Sequence, residues 1–165
     1  MTKIEMFFDY ACPFCFKGFN RLMELLPNYP DIEMIWHLCE AHPRPEEGFG
    51  KHSDLCIQGM FFAKENGVDV LEYHKKMFEI YKKIDVEDIE EFSNALKELL
   101  DADKLMQALK SGKYIQALKD ANDFAYGKSG VWVLPDFRCG GNKLAAAAGV
   151  GVTKEQIKEF LDSQV

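Results

Sequence analysis

The 165-residue chain reads as an α/β protein: a strand–helix–strand unit, a block of helices, then a hairpin and one more helix. Three observations predict this class. The first forty or so residues pass from alternating to helical and back to alternating periodicity, roughly sixty residues of helical period follow, and a glycine turn near residue 140 separates two short β-like segments. A hydrophobic share of 47%, with 13% aromatics, is ample for one buried core and excludes disorder as the main state.

Ile4 to Asp9 is a short apolar run with an alternating charge and predicts the first strand. Cys12-Pro13-Phe14-Cys15 makes a turn, and Leu22, Leu25 and Leu26 mark an amphipathic helix that Pro27 and Pro30 end. Ile32 to Leu38 alternates over the span of a second strand. Strand–helix–strand crossovers are right-handed and join parallel strands, so the C-terminal ends of both strands are expected on one edge of the sheet. Cys12 and the segment after Leu38 become neighbours.

Residues 39 to 51, with Pro43, Pro45, Gly48 and Gly50, predict a loop. Three apolar faces follow, one from Leu55 to Ala63, one from Val70 through His74 and Phe78 to Ile84, and one from Ile89 to Leu100. They predict three or more helices over 52–110, a stretch with 13 acidic and 8 basic residues that carries most of the net charge of -7. Ser111 predicts the N-cap of a helix through Tyr114, Leu118 and Tyr126, with Gly127 as its C-cap. Asp136 to Cys139 and Lys143 to Ala148 predict a hairpin across Gly140-Gly141-Asn142, although the four alanines favour a helix by propensity. Thr153 predicts the cap of a last helix through Ile157, Phe160 and Leu161. Residues 1–51 and 111–165 are thus expected to form one α/β domain, with 52–110 as a helical insertion.

The negative net charge gives no long-range attraction to phosphate backbones or anionic lipid, so neither nucleic acid nor membrane is an expected partner. No run approaches the roughly 18 apolar residues of a membrane span, and the first nine residues lack a signal-peptide core, so the expected location is cytoplasmic. Cys12, Cys15, Cys39, Cys56 and Cys139 are an odd and sparse set, unlike the disulfide framework of a secreted scaffold.

Two cysteines between a strand and a helix N-terminus suit dithiol chemistry, because the thiolate is the nucleophile and the helix end stabilises negative charge by about 0.3–1 kcal/mol, up to ~2 when partly buried. Cys12 is the expected attacking sulfur, and Cys15, one turn further in, the buried sulfur that resolves a mixed disulfide. Pro13 suits the first helical turn, and Phe14 is expected as an exposed ring available to a substrate chain. A metal reading competes, since Cys39-Glu40-Ala41-His42 offers a second pair at ligand spacing close to Cys12 and Cys15. The chain has apolar helices and strands enough to fold without a structural metal, so none is expected. Cys39, Cys56 and Cys139 are read as small core or surface residues, and His37 and His74 as structural.

Taken together, these segments resemble the DsbA-like branch of the thioredoxin superfamily, most of all its cytoplasmic FrnE and 2-hydroxychromene-2-carboxylate isomerase-like group. Phe8 to Gly18 is similar to that group's active-site segment, and Trp36 to Pro43 with Pro45 to Gly48 resembles its post-strand loop. The resemblance implies a thioredoxin-like fold with an all-helical insertion. It implies a protein-disulfide oxidoreductase or isomerase acting on protein or small thiol substrates, with no resident cofactor and glutathione as a candidate co-substrate. Leu134-Pro135 would then be a cis-proline loop opposite the dithiol, contacting substrate together with Pro13 and Phe14. The family's usual Gly-Val-Pro-Thr reads Val133-Leu134-Pro135-Asp136 here, after Trp132, so a bulkier, negatively charged rim is expected. Isomerase and kappa-class glutathione transferase relatives typically carry serine at the first motif position, so Cys12 with Cys15 favours disulfide exchange. A kappa-type glutathione-dependent isomerase or transferase, and a metal-binding module of Cys12, Cys15, Cys39 and His42, are the alternatives.

Overall fold

Strand β1 (Thr2–Phe8) takes an interior place in a four-stranded sheet, flanked by β2 (Ile32–Leu38) and β3 (Asp136–Cys139), with β4 (Asn142–Ala145) at the far edge, in the computed structural model of residues 1–165. Its residues Ile4, Met6, Phe7 and Phe8 are buried, as both faces of an interior strand should be. β1 and β2 run parallel in register from Thr2 opposite Ile32 to Phe8 opposite Leu38. Both strands therefore end at one level, where the Cys39 amide donates to the Phe8 carbonyl at 3.1 Å. β3 runs antiparallel to β1 and joins β4 through a two-residue turn, in which Gly140 supplies a φ of +57° that side chains disfavour.

Helix α1 (Pro13–Leu25) crosses between β1 and β2 and buries Phe19, Leu22 and Leu25. A short 3-10 turn, Leu26–Asn28, holds Pro27 at the helix end. Helix α7 (Lys154–Gln164) lies beside α1, starts on a Thr153–Gln156 capping box, and buries Ile157, Phe160 and Leu161. The alanine run becomes neither helix nor long strand. β4 stops at Ala145, the Ala146 amide donates to the Pro135 carbonyl at 3.1 Å, and the chain turns back at a bridge between Ala147 and Gly151.

Between β2 and β3 lie α2 (Asp54–Glu65), α3 (Val70–Ile80), α4 (Ile89–Ala95), α5 (Ala102–Lys110) and α6 (Ile115–Asn122). Asp69, Asp88 and Asp101 cap α3, α4 and α5 by accepting first-turn amides. Gly59 lets α2 approach α3, since a Cβ there would lie 2.2 Å from the Tyr73 hydroxyl that donates to Cys56 O. Two expected caps are corrected. Ser111 closes α5 instead of opening the next helix, because Gly112 at a φ of +72° breaks the chain direction after it. Gly127 caps nothing, since α6 runs on into a π-helical turn over Asp123–Lys128. From this region Asn122 and Tyr126 both reach Glu40, just beyond β2. No helix is long and apolar enough to cross a membrane.

His74 on α3 is wholly buried against the rings of Phe8 and Trp36, with centroids 5.1 and 5.2 Å away, and its Nδ1 lies 2.7 Å from the Tyr10 hydroxyl. Burial disfavours the imidazolium and lowers its pKa from 6.5 to about 3. Below pH 6.5 the unfolded chain therefore takes up a proton that the folded chain refuses, and stability falls as pH falls toward about 3. His74→Phe is expected to flatten the change in urea-unfolding stability between about pH 6.5 and 4.5. Equal slopes in the two proteins would remove His74 as the source.

Candidate active site

Four residues, Asp9 to Cys12, link β1 to α1. The side chain of Asp9, fully buried, accepts the amides of Ala11 at 3.1 Å and Ala41 at 2.8 Å. The Cys12 amide donates to the Asp9 carbonyl at 3.2 Å. One carboxyl thus fastens the dithiol turn to the segment after β2, where the crossover rule expects the two to meet. Sequence reasoning passed over Asp9, although a charge closing an apolar strand three residues before a cysteine was the available signal.

Cys12 is the N-cap of α1, half-buried, with Pro13 at the first helical position, and its Sγ accepts the Cys15 amide at 3.4 Å. Its pKa is lowered, first by the hydrogen bond from the Cys15 thiol and then by the amides of Cys15 and Phe14, against burial and the Asp9 charge. Cys15 is fully buried, and burial pushes its thiol well above the ordinary value, an effect deepened by its hydrogen bond to Cys12. The two sulfurs are chemically unlike. Cys12 is the more exposed, more acidic one, and all five cysteines are free thiols.

The Leu134–Pro135 bond is cis, as the resemblance implies. The buried Pro135 ring packs on α1 at Gly18, where a Cβ would come within 3.1 Å of its Cγ. Leu134 is buried too, so the loop can offer a partner main chain more readily than these side chains. Pro13 is exposed. Phe14 is half-buried against Gly151 instead of standing free, and the exposed ring is Phe16. The expected acidic rim is also corrected. Asp136 is buried and held by Arg138 through two contacts of 3.1 Å, because positions two apart on a strand share a face. Trp132 is 91% exposed and does make the rim bulky.

Cys39 is buried behind the dithiol, and burial raises its thiol pKa to about 12. Cys56 is buried in α2, and Cys139 ends β3. The His42 ring stacks on Phe49 with centroids 3.7 Å apart and faces Glu46. No group of three or more His, Cys, Asp or Glu side chains is placed to hold a metal ion, so Cys12, Cys15, Cys39 and His42 do not assemble as ligands. His37 bonds Glu5 at 2.6 Å and stacks on Phe7.

A parallel βαβ unit that presents Cys-x-x-Cys at a helix N-terminus, with a cis-proline loop packed on that helix, defines a dithiol protein of thioredoxin fold. The chain belongs to the DSBA-like thioredoxin domain family, which matches residues 3–142. In sequence it is 25% identical to the uncharacterized protein YwbO of Bacillus subtilis, over 96% of each chain. Its fold is similar to that of a probable DsbA oxidoreductase from Streptomyces coelicolor, with a TM-score of 0.76, 13% identity and 99% and 90% of the two chains covered. It is similar also to DsbA of Chlamydia trachomatis, with a TM-score of 0.72, 13% identity and 98% and 85% covered.

Asp9→Ala strips two part-buried amides of their acceptor and is expected to cost about 1–3 kcal/mol of stability, measured by urea unfolding. Iodoacetamide should modify Cys12 first in the folded protein, with a rate that rises through a pKa below the ordinary thiol value of 9.0. Peptide mapping of the modified protein identifies the site.

Proposed function

We propose that this protein is a thiol–disulfide oxidoreductase in which Cys12 is the nucleophile and Cys15 the resolving cysteine. The observation that carries this reading is the division between the two sulfurs, one half-exposed and acidified, the other buried and held protonated. The Cys12 thiolate attacks a substrate disulfide, forms an S–S bond to one substrate sulfur and expels the other as thiolate. Cys15 then gives up its proton and attacks Cys12 Sγ. The substrate sulfur held in that mixed disulfide takes up this proton and leaves as a thiol, and the Cys12–Cys15 disulfide holds the oxidation. Two electrons have passed to the substrate, and the reverse sequence oxidises a dithiol.

Substrates are protein or small-molecule thiols and disulfides, with Pro13 and the main chain of the Leu134–Pro135 loop as contacts. In a cytoplasmic setting glutathione would serve as the co-substrate that returns the pair to the dithiol. Direction follows from the potential. A value well above about -200 mV marks an oxidant or isomerase, and one near about -270 mV a reductant. Equilibration in glutathione buffers measures it.

Cys12→Ser is expected to abolish reduction of insulin or glutathione disulfide, and Cys15→Ser to accumulate a mixed disulfide at Cys12 visible by intact-mass spectrometry. Activity retained in Cys12→Ser would sink the assignment.

A further inference from the structure

Beside Cys12, between the start of α1 and the end of α3, the surface folds into a cavity of about 390 Å³. That is the low end of the ~300–1,000 Å³ range of small-ligand sites, room for one substituent and not for a length of chain. Its floor is aromatic. Tyr10, Phe16, Phe78 and Tyr81 line it, and Phe16 lies 5.5 Å from Phe78 between ring centroids yet is 44% exposed. The mouth is cationic. Lys17, Lys82 and Lys83 border it, and none of the three ammonium groups has an acid within ion-pair distance. The one carboxylate there, Glu79, faces Lys76 at 3.8 Å.

Three unpaired lysines around an apolar hollow stand out on a chain of net charge -7, most of it carried by the same helical stretch that supplies Lys82 and Lys83. An apolar ring entering the hollow would bury surface against four other rings, and a carboxylate beside it would meet positive potential at the mouth. The Cys12 residue forms part of the same wall, so the group that enters sits next to the attacking sulfur.

We infer that this cavity selects the substrate: a peptide disulfide whose half-cystine is flanked by an aromatic side chain and an acidic residue. The inference rests on Cys12 being the attacking sulfur. The ring fills the aromatic hollow, the acid lies among Lys17, Lys82 and Lys83, and the sulfur is presented to Cys12.

The test uses four short peptides, each joined through its cysteine to glutathione, with phenylalanine or alanine and glutamate or glutamine next to that cysteine. Single-turnover reduction by the pre-reduced protein gives a second-order rate constant for each. The enzyme's own dithiol supplies the electrons: Cys12 forms the bond to the peptide sulfur, glutathione leaves as thiolate, and Cys15 releases the peptide as a thiol. The peptide with both features is expected to react at least about tenfold faster than the one with neither, with the glutamate part of the advantage fading as salt rises. The paired substitution Lys82→Glu and Lys83→Glu should erase the preference for glutamate, and Phe16→Ala should reduce the preference for phenylalanine. Rates within about twofold across the four peptides, or a preference that survives all these substitutions, would overturn the inference.

Calorimetry of the same peptides, S-methylated, on protein carrying Cys12→Ser and Cys15→Ser separates this inference from the dithiol reading. Selective binding there, with no reduction of any peptide by the wild type, would remove the dithiol reading and keep the cavity's selectivity. Reduction of all four alike, with no selective binding, would do the opposite.

Discussion

The site depends on one buried carboxyl. Asp9 has no exposed surface, and its oxygens take up amides from two chain segments that the parallel pairing of β1 and β2 brings side by side. Without it those part-buried amides would lose their acceptor, a larger loss than the net worth of ordinary hydrogen bonds. With it, the turn before α1 has little freedom, and Cys12 is held where the helix amides and the Cys15 thiol can reach its sulfur. The cost of burying the carboxyl appears in its raised pKa.

Much of this was legible in the sequence, because the decisive patterns are local. Alternation in Ile32 to Leu38, helical spacing after Cys15 and the prolines after Leu26 each act within a few residues, and they locate the βαβ unit and the dithiol. Some of what escaped depends on distant chain. Phe14 and Phe16 are two positions apart on α1 and so face different ways, and Gly151, far along the chain, determines which is covered. Asp136 reads as a rim charge by its place after Pro135, yet Arg138, two positions on in the expected strand, shares its face and takes the charge up. Ser111 has the chemistry of an N-cap, but the glycine after it assigns it to the other end of the preceding helix. The role of Asp9 needed the position of Ala41, 32 residues away.

The helices between β2 and β3 also shape the site. Tyr10, next in sequence to Asp9, reaches into α3 to meet His74, and its ring forms part of the hollow beside Cys12. Tyr126 and Asn122, beyond α5, hold Glu40 at the end of β2. The sheet brings the sulfurs to one edge, and the helices define what can approach them.

The contact between Pro135 and Gly18 bears on the order in which the protein becomes competent. The two sulfurs lie within the first tenth of the chain, whereas the loop that closes against their helix lies more than a hundred residues later. During synthesis the dithiol leaves the ribosome long before that loop does. An unfinished chain therefore carries the pair without the loop that packs against its helix. Under the proposed exchange the pair is complete only when the late strand has docked beside β1, so competence belongs to the whole folded chain and premature encounters meet a bare thiol.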